Sequence, residues 1–223
     1  MNFSSNFFKV TSVCAIISGV LFVITWLLFF AFTPPMNLDD LIAVSDNPAY
    51  TWWLWIYCIN VFFIITAFWG VAAKKMDTAT GLVTTGFFFA FAYFIVVLLS
   101  FGIRLFPLSK AIAGWDHVDE VMKTDLLSSL FGLAGVLTLA CIICILIAFV
   151  LYGIATWTGT GLEKLVSIFF FLCFICLALY TIGSFFSQVW LYLLMVWICY
   201  IVYAIAMFIV AGWLWKCEGS ASI

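Results

Sequence analysis

Residues 126–152 read LLSSLFGLAGVLTLACIICILIAFVLY, an apolar run without a single charged side chain. A helix needs about 20 predominantly apolar residues to cross the hydrocarbon of a bilayer, so this run is long enough to span with some tilt. Apolar and polar positions do not alternate along it, which argues against a transmembrane barrel strand. Lipid offers an open backbone no hydrogen bonds, so the run must satisfy its own as a helix.

Five comparable runs flank it, each bounded by Pro, Lys or a polar stretch. The expectation is an all-α, polytopic integral membrane helix bundle, with residues 1–223 forming one domain of six transmembrane helices. The spans fall at about 10–32, 51–73, 82–106, 126–152, 165–183 and 189–215. Composition agrees, since 68% of residues are hydrophobic and only 8% are charged, too few to cover a soluble globule. No basic patch could engage phosphates, so nucleic acid is not expected as a partner. The first run is longer than a secretory h-region and is expected to be a retained span.

Lys9, Lys74, Lys75, Lys164 and Lys216 fall on one side of this layout, which should be cytoplasmic and hold both termini. The other side sets Arg104, Lys110 and Lys123 against Asp39, Asp40, Asp46, Asp116, Asp119, Glu120 and Asp125, and is acidic. A plasma membrane or bacterial inner membrane fits that asymmetry. All four prolines lie in or beside the two outer loops, so none breaks a span. Asn37 with Asp39 and Asp40 reads as the start of a short interfacial helix in the first loop. Ile112, Trp115 and Met122 at helical spacing suggest a second in the loop from Pro107 to Asp125. Trp52, Trp53 and Trp55 read as an aromatic belt.

Four groups of residues are chemical candidates. Asn60 is the one strongly polar amide deep in a span and should find a hydrogen-bond partner in the bundle, or line a solute path. Arg104, close to the outer end of its span, either snorkels toward headgroups or pairs with an anion or an acidic side chain. Cys141 and Cys144 on one span and Cys173 and Cys176 on the next form two C-x-x-C pairs at matching depth. Soft thiolates there would suit a metal such as copper, although small buried cysteines also serve plain packing. Asp116, His117, Asp119 and Glu120 form an outer acidic cap that a divalent cation could use, although one histidine is thin support.

Ser128, Gly132 and Gly135 make a groove where another helix backbone could approach, with a second at Ala15 and Gly19. The phenylalanines read as lipid-facing or core residues. No motif of a hydrolase, phosphate-binding loop or intramembrane protease occurs, and no catalytic residue or resident cofactor is expected. The leading expectation is therefore a non-catalytic accessory or scaffold subunit of a larger membrane complex, in contact with lipid and with partner subunits or copies of itself. The alternative is a transporter, channel or binder for a small neutral or hydrophobic solute. The third reading is an intramembrane Cys-based metal or redox protein.

Overall fold

The computed structural model describes residues 3–32, 35, 38–105, 120–186 and 188–216, which are helical throughout apart from short turns. Six elements follow in order: α1 (Ser5–Leu28), α2 (Leu38–Ser45), α3 (Pro48–Ile103), α4 (Glu120–Thr156), α5 (Leu162–Phe185) and α6 (Val189–Trp215). All but α2 are long and apolar enough to cross a membrane, a pattern compatible with an integral multi-pass membrane protein.

Local chemistry explains several boundaries. The Ser4 hydroxyl accepts from the Phe7 N–H, so α1 starts ahead of the expected Val10, and the polar Ser5 and Asn6 join the helix. Asn47 caps α3, its side-chain oxygen accepting from the Ala49 N–H at 2.9 Å while its amide donates to the Ala31 carbonyl at 3.0 Å. Pro48 follows at the first helical position, where its missing N–H costs nothing. Gly161 precedes α5 with φ +58°, a conformation that side chains resist.

At 56 residues α3 is far too long for one crossing. Its backbone leaves helical geometry at Ala79 (φ −145°, ψ 41°), and there it doubles back. The Phe62 and Phe94 rings lie 5.0 Å apart, the Tyr57 and Tyr93 hydroxyls 3.0 Å apart, and the Trp53 and Phe101 rings 5.5 Å apart. Such pairs, whose midpoints fall between residues 75 and 78, require two antiparallel arms. The expected polar break between the second and third spans is thus a tight bend within one element.

The long helices close a ring: α1 packs on the first arm of α3, the second arm on α4, α4 on α5, α5 on α6, and α6 back on α1. Lipid tails are as apolar as leucine, so such a ring is held by close packing and interhelical hydrogen bonds. Gly70 illustrates the packing, since a Cβ there would come within 2.7 Å of the Thr11 Cβ and 3.0 Å of a Leu214 methyl. The Ser12 hydroxyl donates to the Ala211 carbonyl at 2.8 Å, and Ser167 to the Gly153 carbonyl at 2.7 Å. Large apolar side chains such as Val10, Phe88 and Val136 point away from the ring, as a lipid-facing surface requires.

The two ends differ. One carries Lys74, Lys75, Glu163 and Lys164. There Lys75 pairs with Glu163 at 2.6 Å, and Lys74 donates to the Trp213 carbonyl beneath its own ring contact at 4.0 Å. The other carries α2, whose Leu41 and Val44 are buried against the bundle and whose Asp39 and Asp40 stand in its first turn.

Candidate functional site

The ring encloses a cavity of about 1220 Å³. It reaches from Asp40 and Asn47 at the α2 end to Phe68, Phe149 and Met207 more than halfway toward the lysine end. Each helix supplies wall residues by its own period. The first arm of α3 places Trp53, Tyr57, Ile64 and Phe68 on one face, and α6 does the same with Tyr192, Val196, Cys199, Tyr203 and Met207.

The floor is aromatic. Phe68 meets Phe149 at 6.1 Å, Tyr152 at 5.3 Å and Phe170 at 5.9 Å, and these four rings come from α3, α4 and α5. Phe68 and Phe170 are fully buried, as is Tyr152, so the cavity ends here. Higher up, the wall carries a sparse set of polar groups. Tyr57 and Tyr93 share their hydrogen bond, and Tyr180 packs its ring 5.1 Å from Tyr192. Trp53 lies in the wall and is 8% exposed, so it does not share the outward face of its neighbours Trp52 and Trp55, which are 63% and 42% exposed.

Arg104 is half-buried and lines the same cavity. Its guanidinium donates to the Thr138 hydroxyl at 3.3 Å. Thr138 is itself held by the Ala134 carbonyl at 2.8 Å and by Ser100 at 3.0 Å, and Ser100 also donates to the Ala134 carbonyl at 3.2 Å. The cation is therefore oriented across the α3–α4 seam. Among the described residues no carboxylate lies within ion-pair distance of it. Of the four acids at this end that could pair with it, Asp125 does not, and Asp116, Asp119 and the side chain of Glu120 lie outside what the structure describes.

Asn60 corrects the sequence reading twice. It is fully buried, yet neither amide atom has a hydrogen-bond partner among the described residues, so it glues no helix pair. It is also off the cavity wall. Four residues from Ile64, it is turned roughly 40° around the helix. That rotation carries it toward α1, where the register set by Thr11 against Gly70 and Phe29 against Trp53 brings Leu21 and Phe22 to the same level and leaves Ser18 about one turn away. The Ser18 hydroxyl is buried and unpartnered as well.

The cysteines divide by helical position. Cys141, Cys173 and Cys199 are on the cavity wall, whereas Cys144 and Cys176 are not. Among the described residues no three His, Cys, Asp or Glu side chains gather as a group able to hold a metal ion, so the four-sulfur set suggested by spacing is not assembled. A residue three positions along a helix is rotated by roughly 60° from its mate, which sends Cys144 and Cys176 toward neighbouring faces. Of the acidic cap, Asp116, His117 and Asp119 lie outside the described residues, as does most of the second loop helix, and Glu120 opens α4.

The small-residue faces also separate. Ala15 is fully buried and Gly19 sits against Phe208, whose ring would be 2.9 Å from an added Cβ, so this patch packs α1 on α6. Gly132 and Gly135 meet nothing within 4 Å, and Ser128 is exposed, so no helix among the described residues fills that groove. Gly135 borders the cavity instead.

Sequence reasoning passed over the tyrosines and assigned the phenylalanines to lipid or core. Phe22, Phe29, Phe101, Phe131 and Phe149 all face the cavity. The available signal was Trp53, Tyr57, Ile64 and Phe68 repeating on one helical face with an arginine at the same end of the next arm. Compared with protein-family models, curated proteins and solved structures, the chain matches none.

Proposed function

We propose that this chain binds a hydrophobic solute inside its helix ring, taking it from the side that carries α2. The supporting observation is the cavity, whose volume of about 1220 Å³ exceeds the range of roughly 300–1,000 Å³ common to pockets for drug-sized ligands. A bundle that served only as scaffold would gain by filling such a space, because each unfilled methylene-sized gap in a packed interior costs about 1 kcal/mol. Aromatic walls with few polar groups suit an apolar body, and the ring floor at Phe68, Tyr152 and Phe170 favours a binder, or a carrier open to one side, over a channel.

The membrane setting belongs to this proposal. Each arm of α3 makes one crossing, giving six in all, with both termini and the lysine end cytoplasmic by the charge asymmetry. α2 lies on the opposite face as a short interfacial cap. A plasma or bacterial inner membrane is the proposed location. Contact with partner subunits remains a compatible role for the uncovered face around Gly132.

The test is gentle extraction followed by mass spectrometry of whatever co-purifies at stoichiometric amount, on the wild-type chain and on Ile145→Trp. Ile145 is 5% exposed and on the wall, so the indole enters the cavity. A small molecule or lipid retained by the wild type and lost from the folded variant supports the reading. Stoichiometric protein subunits with no small molecule would overturn it in favour of the accessory role.

A further inference from the structure

The cavity has one cation on its described wall, Arg104, and no carboxylate among the described residues, Asp40 of the same wall included, lies within ion-pair distance of it. Arg104 stands at the α2 end, anchored by Thr138, while the space below it is walled by rings and aliphatic side chains. An arginine held in place this way is preorganised for a carboxylate or phosphate oxygen, which its planar fork accepts in two hydrogen bonds. Snorkelling to the surrounding headgroups, the simpler use of an arginine near a span end, does not describe a side chain that faces the interior of the ring.

A second observation concerns access. The ring and hydrogen-bond contacts joining α4 to α5 among the described residues all fall between residues 149 and 171, toward the lysine end. Toward the α2 end, besides Asp40 and Ala43 on α2 itself, four wall residues are exposed, Gly135 and Leu139 on α4, Ser184 on α5 and Val189 at the start of α6. Leu139 is 44% and Val189 52% exposed, whereas Ile64 and Phe68, deeper in the same cavity, are 4% and 0% exposed. The opening therefore extends down the side of the ring between α4 and the α5–α6 hairpin. Leu139 lies 17 residues from the α4 terminus at Thr156, about 25 Å along the helix axis, which is within a hydrocarbon layer of about 30 Å.

Resting on the solute-binding reading, we infer that the solute is an anionic amphiphile, a carboxylate- or phosphate-headed lipid. It enters sideways from the bilayer between α4 and α5–α6, its head on Arg104 and its tail running down to Phe68 and Met207. Charge and position act together in this assignment. A tail already dissolved in lipid gains little by moving into an equally apolar cavity, so selectivity must come from the head. An uncharged amphiphile would leave the guanidinium without a counter-ion among the described residues, whereas a free anion would leave the aromatic depth unfilled.

The experiment uses the purified full chain in neutral detergent and three probes of one tail length: hexadecyl phosphate, palmitate and hexadecanol. Inorganic phosphate is the competitor. Both anionic probes should bind at least tenfold more tightly than hexadecanol, and millimolar inorganic phosphate should not displace them. Arg104→Gln should bring the three affinities within about twofold by weakening the anionic probes alone, and Leu139→Trp should slow the association of all three. Equal wild-type affinities for hexadecanol and hexadecyl phosphate overturn the inference and leave the binding reading standing. Displacement by inorganic phosphate reassigns the site to a free anion. Failure of every probe, joined with no small molecule in the native extract, overturns the binding reading itself. The anionic preference is measured on the wild type, so it decides the matter even if Arg104→Gln does not fold.

Discussion

Asn60→Leu separates a path-lining amide from a misplaced one. Asn60 is fully buried, with no partner for either end of its amide among the described residues and no place on the cavity wall. A buried polar group without its hydrogen bond costs about 1–3 kcal/mol. In membrane proteins the unfolded chain also finds partners, and measured interhelical polar contacts average only about 0.6 kcal/mol, which pulls the figure down. Leucine fills a similar volume without the desolvated dipole, so the substitution should stabilise the fold by about 1 kcal/mol. For a chain of this length each kcal/mol moves the melting temperature by about 2–4 °C. The assay is thermal unfolding of purified wild type and variant in one detergent, with retention of the bound small molecule measured beside it. A rise of a few degrees with ligand retained is expected. A fall of several degrees would show that the amide makes hydrogen bonds at the α1–α3 seam, and loss of ligand from a folded variant would put Asn60 back on the solute path. Ser18→Ala gives an independent check, because its buried hydroxyl also has no partner among the described residues and should be dispensable.

Three further outcomes follow from the geometry. Tyr57→Phe should destabilise by about 1–3 kcal/mol, since it leaves the Tyr93 hydroxyl alone 3.0 Å from where its partner stood. The double variant Tyr57→Phe, Tyr93→Phe should recover most of that in the same melt, because neither oxygen then remains. Gly19→Leu should cost about 1–3 kcal/mol through overpacking against Phe208, while Gly132→Leu should leave the single chain's stability within about 0.5 kcal/mol. A change in oligomeric mass for Gly132→Leu by native mass spectrometry would give that open face a partner. Lys75→Gln should cost up to about 1 kcal/mol, less at high salt, because the pair with Glu163 is only partly buried, at 12% and 20% side-chain exposure. The exchange Lys75→Glu, Glu163→Lys should restore stability in chemical denaturation.

The helices were legible because their cause is local. A run such as 126–152 has one way to survive in hydrocarbon, and α6 matches its expected 189–215 to the residue. Boundaries moved where a single side chain decided them, as Ser4 did for α1. The bend at Ala79 escaped because Lys74, Lys75 and Asp77 announce an exit from the membrane but do not reveal how few residues the chain needs to turn. The Leu38–Ser45 helix was readable from its acidic first turn, which opposes the positive end of the helix dipole.

The site was less legible, for a reason that belongs to the solvent. In water, an aromatic stripe on a helix distinguishes inside from outside, because the opposite face is polar. In lipid both faces are apolar, so Trp53 and Tyr57, which face the cavity, carry the same composition as Trp52 and Trp55, which do not. Polarity then becomes the informative mark, and it led to Arg104 and Asn60 as the two outliers. They part only when helix rotation is known. Arg104 reaches Thr138 across the seam and borders the cavity, while Asn60 is rotated toward α1. Cys141 and Cys144 part for the same reason, since three residues along a helix do not restore a face. What a single membrane sequence withholds is the angular position of each span, and with it whether a ring of six apolar segments closes on side chains or on space. Here it closes on space at one end and on Phe68, Phe149, Tyr152 and Phe170 at the other, so a ligand's apolar end would meet rings while its polar end stayed near Arg104.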